Sequence, residues 1–222
     1  MFEAADISAF ILTIRLALTA TLILLLIGIP VAWWLAKSQW RFKYMLEAII
    51  ALPLVLPPTV LGFYLLLLLG ANGPFAAITG NTLAFSFTGL VIGSVIYSLP
   101  FVIQPLQDTF QAIGTRPMEV AATLRASPRD KFLTVALPLA RPGFITASVL
   151  GFAHTLGEFG VVLMIGGNIP GQTRVLSIAI FDHVESLDYG SAHLLAGSLL
   201  VLSFIMLTVV YATNKRFRVF RL

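Results

Sequence analysis

Glu119–Pro138 reads EVAATLRASPRDKFLTVALP. It is a polar, basic stretch in a chain that is otherwise almost wholly apolar. Of the 222 residues, 58% are hydrophobic and 11% charged, more apolar side chain than a soluble fold of this length needs. Several runs exceed the ~18 apolar residues that mark a transmembrane helix. The composition points to an all-α, polytopic membrane protein forming one domain over 1–222. Glu3 and Asp6, rather than bases, precede the first hydrophobic run, which is also too long for a cleavable leader. There is no cysteine, which excludes disulfides, thiol catalysis and Cys-based metal sites.

On either side of the polar stretch, five spans are expected, at about 8–36, 45–69, 84–107, 141–165 and 192–213. Twelve of the fourteen Lys and Arg fall in three places: Lys37, Arg41 and Lys43; Arg116, Arg125, Arg129, Lys131 and Arg141; and Lys215, Arg216, Arg218 and Arg221. The opposite ends carry Glu3 and Asp6, an uncharged loop at 70–83, and a segment 166–191 with Asp182, Glu185 and Asp188 against Arg174. Basic loops stay in the cytoplasm. The N-terminus is therefore expected outside, and the C-terminus and the Glu119 loop inside. The apolar piece Val175–Phe181 is too short to cross and reads as an outer-surface or re-entrant helix. Bases confined to loops between spans give no reason to expect nucleic acid.

Within the loop at about 115–138, Met118–Leu124 is Ala-rich and begins with an acid, as a helix start does. Ser127-Pro128 breaks it, Arg129–Ala136 can form a second short helix, and Leu137-Pro138 closes it before the next span. Two short helices across a membrane end make a rigid knob that can transmit a push. The pattern resembles the cytoplasmic coupling loop of ABC importer membrane subunits, which reads Glu-Ala-Ala, a Gly in the seventh position and a closing Ile-x-Leu-Pro. The resemblance implies coupling roles for Glu119, Ala121, Ala122, Arg125, Pro128, Leu137 and Pro138. Val120 stands where Ala is usual and Arg125 where Gly is usual. Because a left-handed turn costs a non-glycine residue about 1 kcal/mol or more, the turn is expected to shift to Ala126-Ser127-Pro128.

The second span, MLEAIIALPLVLPPTVLGFYLLLLLG, holds Pro53, Pro57 and Pro58. Proline inside a helix removes a backbone bond and kinks it, and freed carbonyls in lipid must be covered or face a water-lined path. These prolines read as pathway lining. Thr59, Ser94 and Ser98 are hydroxyl donors for a passing oxyanion, or else bond their own helices. ALPLVLPPTVLGFYLLLLLG and FAHTLGEFGVVLMIGGNIPGQTR resemble the permease subunit of molybdate ABC importers, with sulfate permeases close cousins. The resemblance covers nearly the whole chain and implies an ABC type I importer permease fold. It also implies a permease homodimer, two copies of a cytoplasmic ATPase subunit and an extracytoplasmic substrate-binding protein, in the cytoplasmic (inner) membrane. Molybdate import is the implied function, with tungstate or sulfate as alternatives. The chain ends just past its last span, so no regulatory domain is expected.

Arg15 and Glu158 lie at similar depth in different spans. Intramembrane charges are costly and usually paired, so an Arg15–Glu158 ion pair is expected, with Arg174 as the alternative partner. Glu158 would repel an anion, so Gly157–Gly160, including Phe159, reads as a packing and gate element near the outer surface. Gly166–Thr173 matches a phosphate-binding loop except that Gln172 replaces the required Lys, and no strand precedes it. His154, His183 and His193 lack metal-ligand spacing. Neither a cofactor nor enzymatic chemistry within the chain is expected. A self-contained channel or secondary carrier would need mid-membrane coupling acids or an internal repeat; Glu158 is the one acid well inside a span, and no repeat is seen.

Overall fold

The computed structural model describes residues 4–219, with side chains to Ala212. Glu3, Arg221 and the side chains of Lys215, Arg216 and Arg218, used above for orientation, lie outside the described residues. Helices α1 (Ala4–Lys37), α2 (Lys43–Val55), α3 (Pro58–Leu69) and α4 (Pro74–Thr79) lead to α5 (Phe87–Ile113). The polar loop follows as α6 (Arg116–Thr123), α7 (Pro128–Asp130), a π-helical segment (Lys131–Ala136) and α8 (Leu137–Leu139). α9 (Arg141–Leu156), α10 (Gly160–Gly166), α11 (Leu176–Glu185) and α12 (Tyr189–Val219) complete the chain. No strand occurs among the described residues.

α1 packs on α5, α9 and α11, and α5 on both interrupted spans. Ala9, Leu12, Leu16, Ala20, Leu24, Gly28, Ala32 and Leu35 bury one stripe at three- and four-residue spacing, while Ile11, Leu18, Leu22 and Leu26 stay exposed on another. A helix apolar all round buries one face in protein and offers the other to lipid. One core joins Leu24 and Leu35 to Val102, Leu106 and Phe110. A second joins Leu12 and Leu16 to Leu90 and Val162.

All five expected segments are helical, but two are interrupted. Four helical stretches are long and apolar enough to cross a membrane, and a fifth if the pair Pro128–Leu139 and Arg141–Leu156, bent by 70°, counts as one. The second span parts at Leu56-Pro57, leaving Pro53 inside α2. Pro53 therefore does not end its helix; two successive prolines at 57 and 58 do, because neither offers an N–H and each disfavours a helical residue before it. The fourth span parts at Gly157–Phe159. The third begins at Phe87 rather than 84, where Ser86 Oγ accepts from Gly89 N–H at 3.1 Å. It runs through Pro100 and Pro105 to Gly114, whose φ of 70° stops it.

Contacts sort the ends as the charges suggest. Lys37 Nζ donates to the Gly114 carbonyl at 2.8 Å, tying the basic ends of α1 and α5. At the other end His183 Nε2 meets Asp6 Oδ1 at 2.9 Å, and Leu176 N–H donates to Thr13 Oγ1 at 2.7 Å. The short α11 thus lies against the acidic end of α1.

α3 packs on α10 at very close range. A Cβ on Gly62 would stand 2.7 Å from Met164 Cβ and 3.1 Å from Val161 Cα. Gly62→Ala should therefore overpack this contact, costing about 1–3 kcal/mol. A thermal-unfolding midpoint lowered by several degrees in detergent is expected; an unchanged midpoint would show that the helices stand further apart.

Candidate translocation route and coupling loop

The two interruptions meet. A Cβ on Gly160 would sit 2.8 Å from Pro58 Cβ and 3.4 Å from Thr59 N, so only glycine lets the breaks touch. Thr59 is exposed in the first turn of α3. Phe159 is half-buried, its ring 5.2 Å from that of Phe181. The Glu158 carbonyl, released by the break, accepts from Ser177 Oγ at 2.6 Å.

The Glu158 side chain is 3% exposed, and neither carboxyl oxygen has a hydrogen-bond partner. The expected ion pair is not formed. Arg15 is exposed, with its guanidinium 4.6 Å from the centre of the Phe87 ring. Arg174 pairs with Asp182 at 3.0 Å, and Asn168 Nδ2 donates to both oxygens of Asp182. The reason is rotational: similar depth does not place two residues on facing sides. Arg15 falls on the outward stripe of α1 with Ile11 and Leu18, while Glu158 turns inward at the break.

Ser94 and Ser98 are fully buried. The Ser94 hydroxyl lies beside the Glu158 carboxyl without reaching hydrogen-bond geometry. Ser98 Oγ contacts His154 Nδ1 at 2.8 Å and Thr155 Oγ1 at 3.1 Å. His154 stacks on Phe101, with ring centres 3.8 Å apart, and lies 4.7 Å from the Tyr97 ring. Below them, Glu47, Gln104, Gln107, Asp108 and Gln111 line a groove of about 430 Å³ between α2 and α5, where Gln107 Nε2 donates to Glu47 Oε1 at 2.6 Å. Sequence reasoning picked the serines but missed Tyr97, His154 and this groove. One signal was available: Tyr97, Phe101, Gln104, Asp108 and Gln111 repeat at four and three residues, one face of a helix.

The polar loop at about 115–138 folds as two pieces. Glu119 is exposed in the first turn of α6, Ala121 is buried and Ala122 exposed. Arg125 takes φ 58° itself. Its N–H donates to the Ala122 carbonyl at 3.0 Å, and Ala126 N–H donates to that of Ala121 at 3.1 Å. These are the paired bonds of a helix ended by a left-handed residue. The turn therefore does not shift to Ala126-Ser127-Pro128; two carbonyl contacts outweigh the strain on Arg125. Pro128 opens α7 after Ser127, whose hydroxyl and backbone N–H both bond Asp130. Those bonds hold the Asp130 carboxyl below its usual range. Leu137 is half-buried and Pro138 exposed in α8.

One side chain ties this loop to the spans. Phe132, in the π-helical segment, meets Trp33 of α1 edge-on at 5.2 Å and Phe110 of α5 at 6.4 Å. Trp33 and Phe110 also meet edge-on at 5.1 Å. Edge-to-face aromatic contacts are directional, and these join the loop to α1 and α5 together.

A helical bundle with two interrupted spans and a folded polar loop under one end is the architecture of a transport permease. The chain belongs to the family described as binding-protein-dependent transport system inner membrane component, which matches residues 25–219. It is 58% identical over 214 residues, 95% of each chain, to the molybdenum transport system permease protein ModB of Azotobacter vinelandii. It is 35% identical over 205 residues, 91% of this chain and 71% of the relative, to a probable sulfate transport system permease protein cysT of Anthoceros angustus. Among solved structures, a bacterial alginate ABC transporter in complex with its alginate pentasaccharide-bound periplasmic protein matches 97% of this chain and 80% of its own. Its TM-score is 0.77 at 14% identity. The fold is that of an ABC type I importer permease, and the chain is a membrane transport component rather than an enzyme.

Two substitutions test the loop. Phe132→Ala should remove up to about 3 kcal/mol of packing and lower transport while leaving the spans inserted, read as membrane-fraction yield against uptake. Arg125→Gly should relieve about 1 kcal/mol of left-handed strain and slow proteolysis of the loop without reducing uptake; a severe loss of uptake would show that Arg125 itself contacts a partner.

Proposed function

We propose that this chain is the permease through which an ATP-driven importer carries molybdate across the cytoplasmic membrane. The carrying observation is the folded loop at Glu119–Pro138, wedged by Phe132 against Trp33 and Phe110, because such a part serves a protein moved from outside itself. The substrate reading is supported by full-length likeness to a molybdenum permease, and the likeness to a probable sulfate permease keeps sulfate as the second reading. Two copies of the permease form the pathway, with two ATPase subunits on the loops and a substrate-binding protein above. Glu119, Ala121, Ala122, Arg125, Pro128, Leu137 and Pro138 form the docking knob. Pro57, Pro58, Thr59 and the Gly157–Gly160 break form the gate. ATP closes the ATPases, the loops turn, and the contact of Gly160 on Pro58 opens toward the loaded binding protein.

Radiolabelled molybdate uptake in cells lacking the chain should be lost. When the chain is restored, uptake should resist excess sulfate and yield to tungstate. Intact molybdate uptake with diminished sulfate uptake would reassign the substrate. Glu119→Arg should reduce co-purification of the ATPase and uptake about tenfold or more, the loss of a charge-assisted contact; unchanged uptake would sink the docking role.

A further inference from the structure

His154, Ser98 and Thr155 form a line of hydrogen bonds ending on the Gly151 carbonyl, with contacts of 2.8, 3.1 and 3.0 Å. A carbonyl only accepts, so Thr155 donates to Gly151. Ser98 must then donate to Thr155, which leaves it to accept from His154. No other direction puts a hydrogen on all three contacts. The proton of a neutral imidazole therefore sits on Nδ1, and Nε2 carries a bare lone pair. Among the described residues no hydrogen bond reaches Nε2. The ring cannot swing away, because Phe101 stacks on it and Tyr97 flanks it.

The face of α5 against which the His154 ring lies is not a lipid face. Tyr97 and Phe101 continue down α5 as Gln104, Asp108 and Gln111, and these three are exposed. Polar groups on a span that face outward are excluded from hydrocarbon and meet water or protein. A bare lone pair on such a face repels an oxyanion; a protonated one holds it.

We propose that His154 is the point inside the span where the oxyanion is held in passing, and that Nε2 takes up one proton from the water of the route as the anion seats. The imidazolium then donates Nδ1–H to Ser98 and Nε2–H to the anion, and the proton returns to water when the anion moves on. This rests on the reading of the transported ligand as an oxyanion. Tyr97 is the titratable group against the ring from α5. Glu158 lies at the break just beyond the end of α9. α12, which packs on α9, carries His193, which is exposed; α3 carries no charged residue, Arg15 of α1 is held over Phe87, Arg174 is held by Asp182, and Glu47 of α2 is bonded to Gln107.

The chain has three histidines, few enough to separate. The test uses the complete transporter in liposomes, with 15N-labelled histidine and solid-state NMR, His154 being assigned by its loss in His154→Asn. Without substrate, His154 should show a neutral ring protonated at Nδ1; sodium molybdate should convert it to imidazolium. In uptake, His154→Gln should lose about tenfold or more at subsaturating molybdate, one hydrogen bond to a charged group. An unchanged His154 spectrum in liposomes that import molybdate overturns the inference and leaves the transport reading standing. Failure of wild-type liposomes to import either molybdate or sulfate overturns the transport reading, and the inference with it.

Discussion

A helix broken inside a bilayer leaves backbone groups that lipid cannot satisfy. This chain has two such breaks, at Leu56-Pro57 and Gly157–Phe159, and it covers each with the other. Gly160 seats against Pro58 so closely that a methyl group would collide, and Ser177 caps the Glu158 carbonyl. Much of the upper half follows from that contact. α10 must lie along α3, the segment after it must turn back over α1, and α11 must be short enough to fit beneath the acidic end of α1.

The lower half is organised by a different device. Trp33, Phe110 and Phe132 form a wedge in which each ring comes from a different element. The π-helical segment that carries Phe132 runs into a pair of prolines, Pro138 and Pro142, and the helix bends by 70° there. π-helical turns favour functional positions, and here the wider turn accompanies the bend that lays the loop across the end of the bundle. Phe132 thus touches, through Phe110, the helix α5, which packs on α2 and α3 of one broken span and α9 and α10 of the other.

Much of this was legible in the sequence because hydropathy, prolines and loop charge are one-dimensional signals. The five segments, the short helix at Leu176–Glu185 and the two-piece loop followed from them. Rotational facts were not legible. Depth alone paired Arg15 with Glu158, yet the two residues face different ways. Propensity alone moved the turn off Arg125, yet Ala121 and Ala122 offered carbonyls that only a left-handed residue there could close. His154 was passed over because histidine was weighed as a metal ligand by spacing, whereas its ring bonds Ser98, which lies 56 positions away.

If the two breaks separate during transport, a bond across them must stop it. The chain has no cysteine of its own, so Leu65→Cys with Ile165→Cys, which lie in one cluster between α3 and α10, gives one engineered pair beside the contact and leaves Gly160 in place. Oxidation in liposomes containing the complete transporter should form the disulfide within one subunit and abolish uptake, and reductant should restore it. A crosslinked transporter that carries substrate at its uncrosslinked rate would contradict the account.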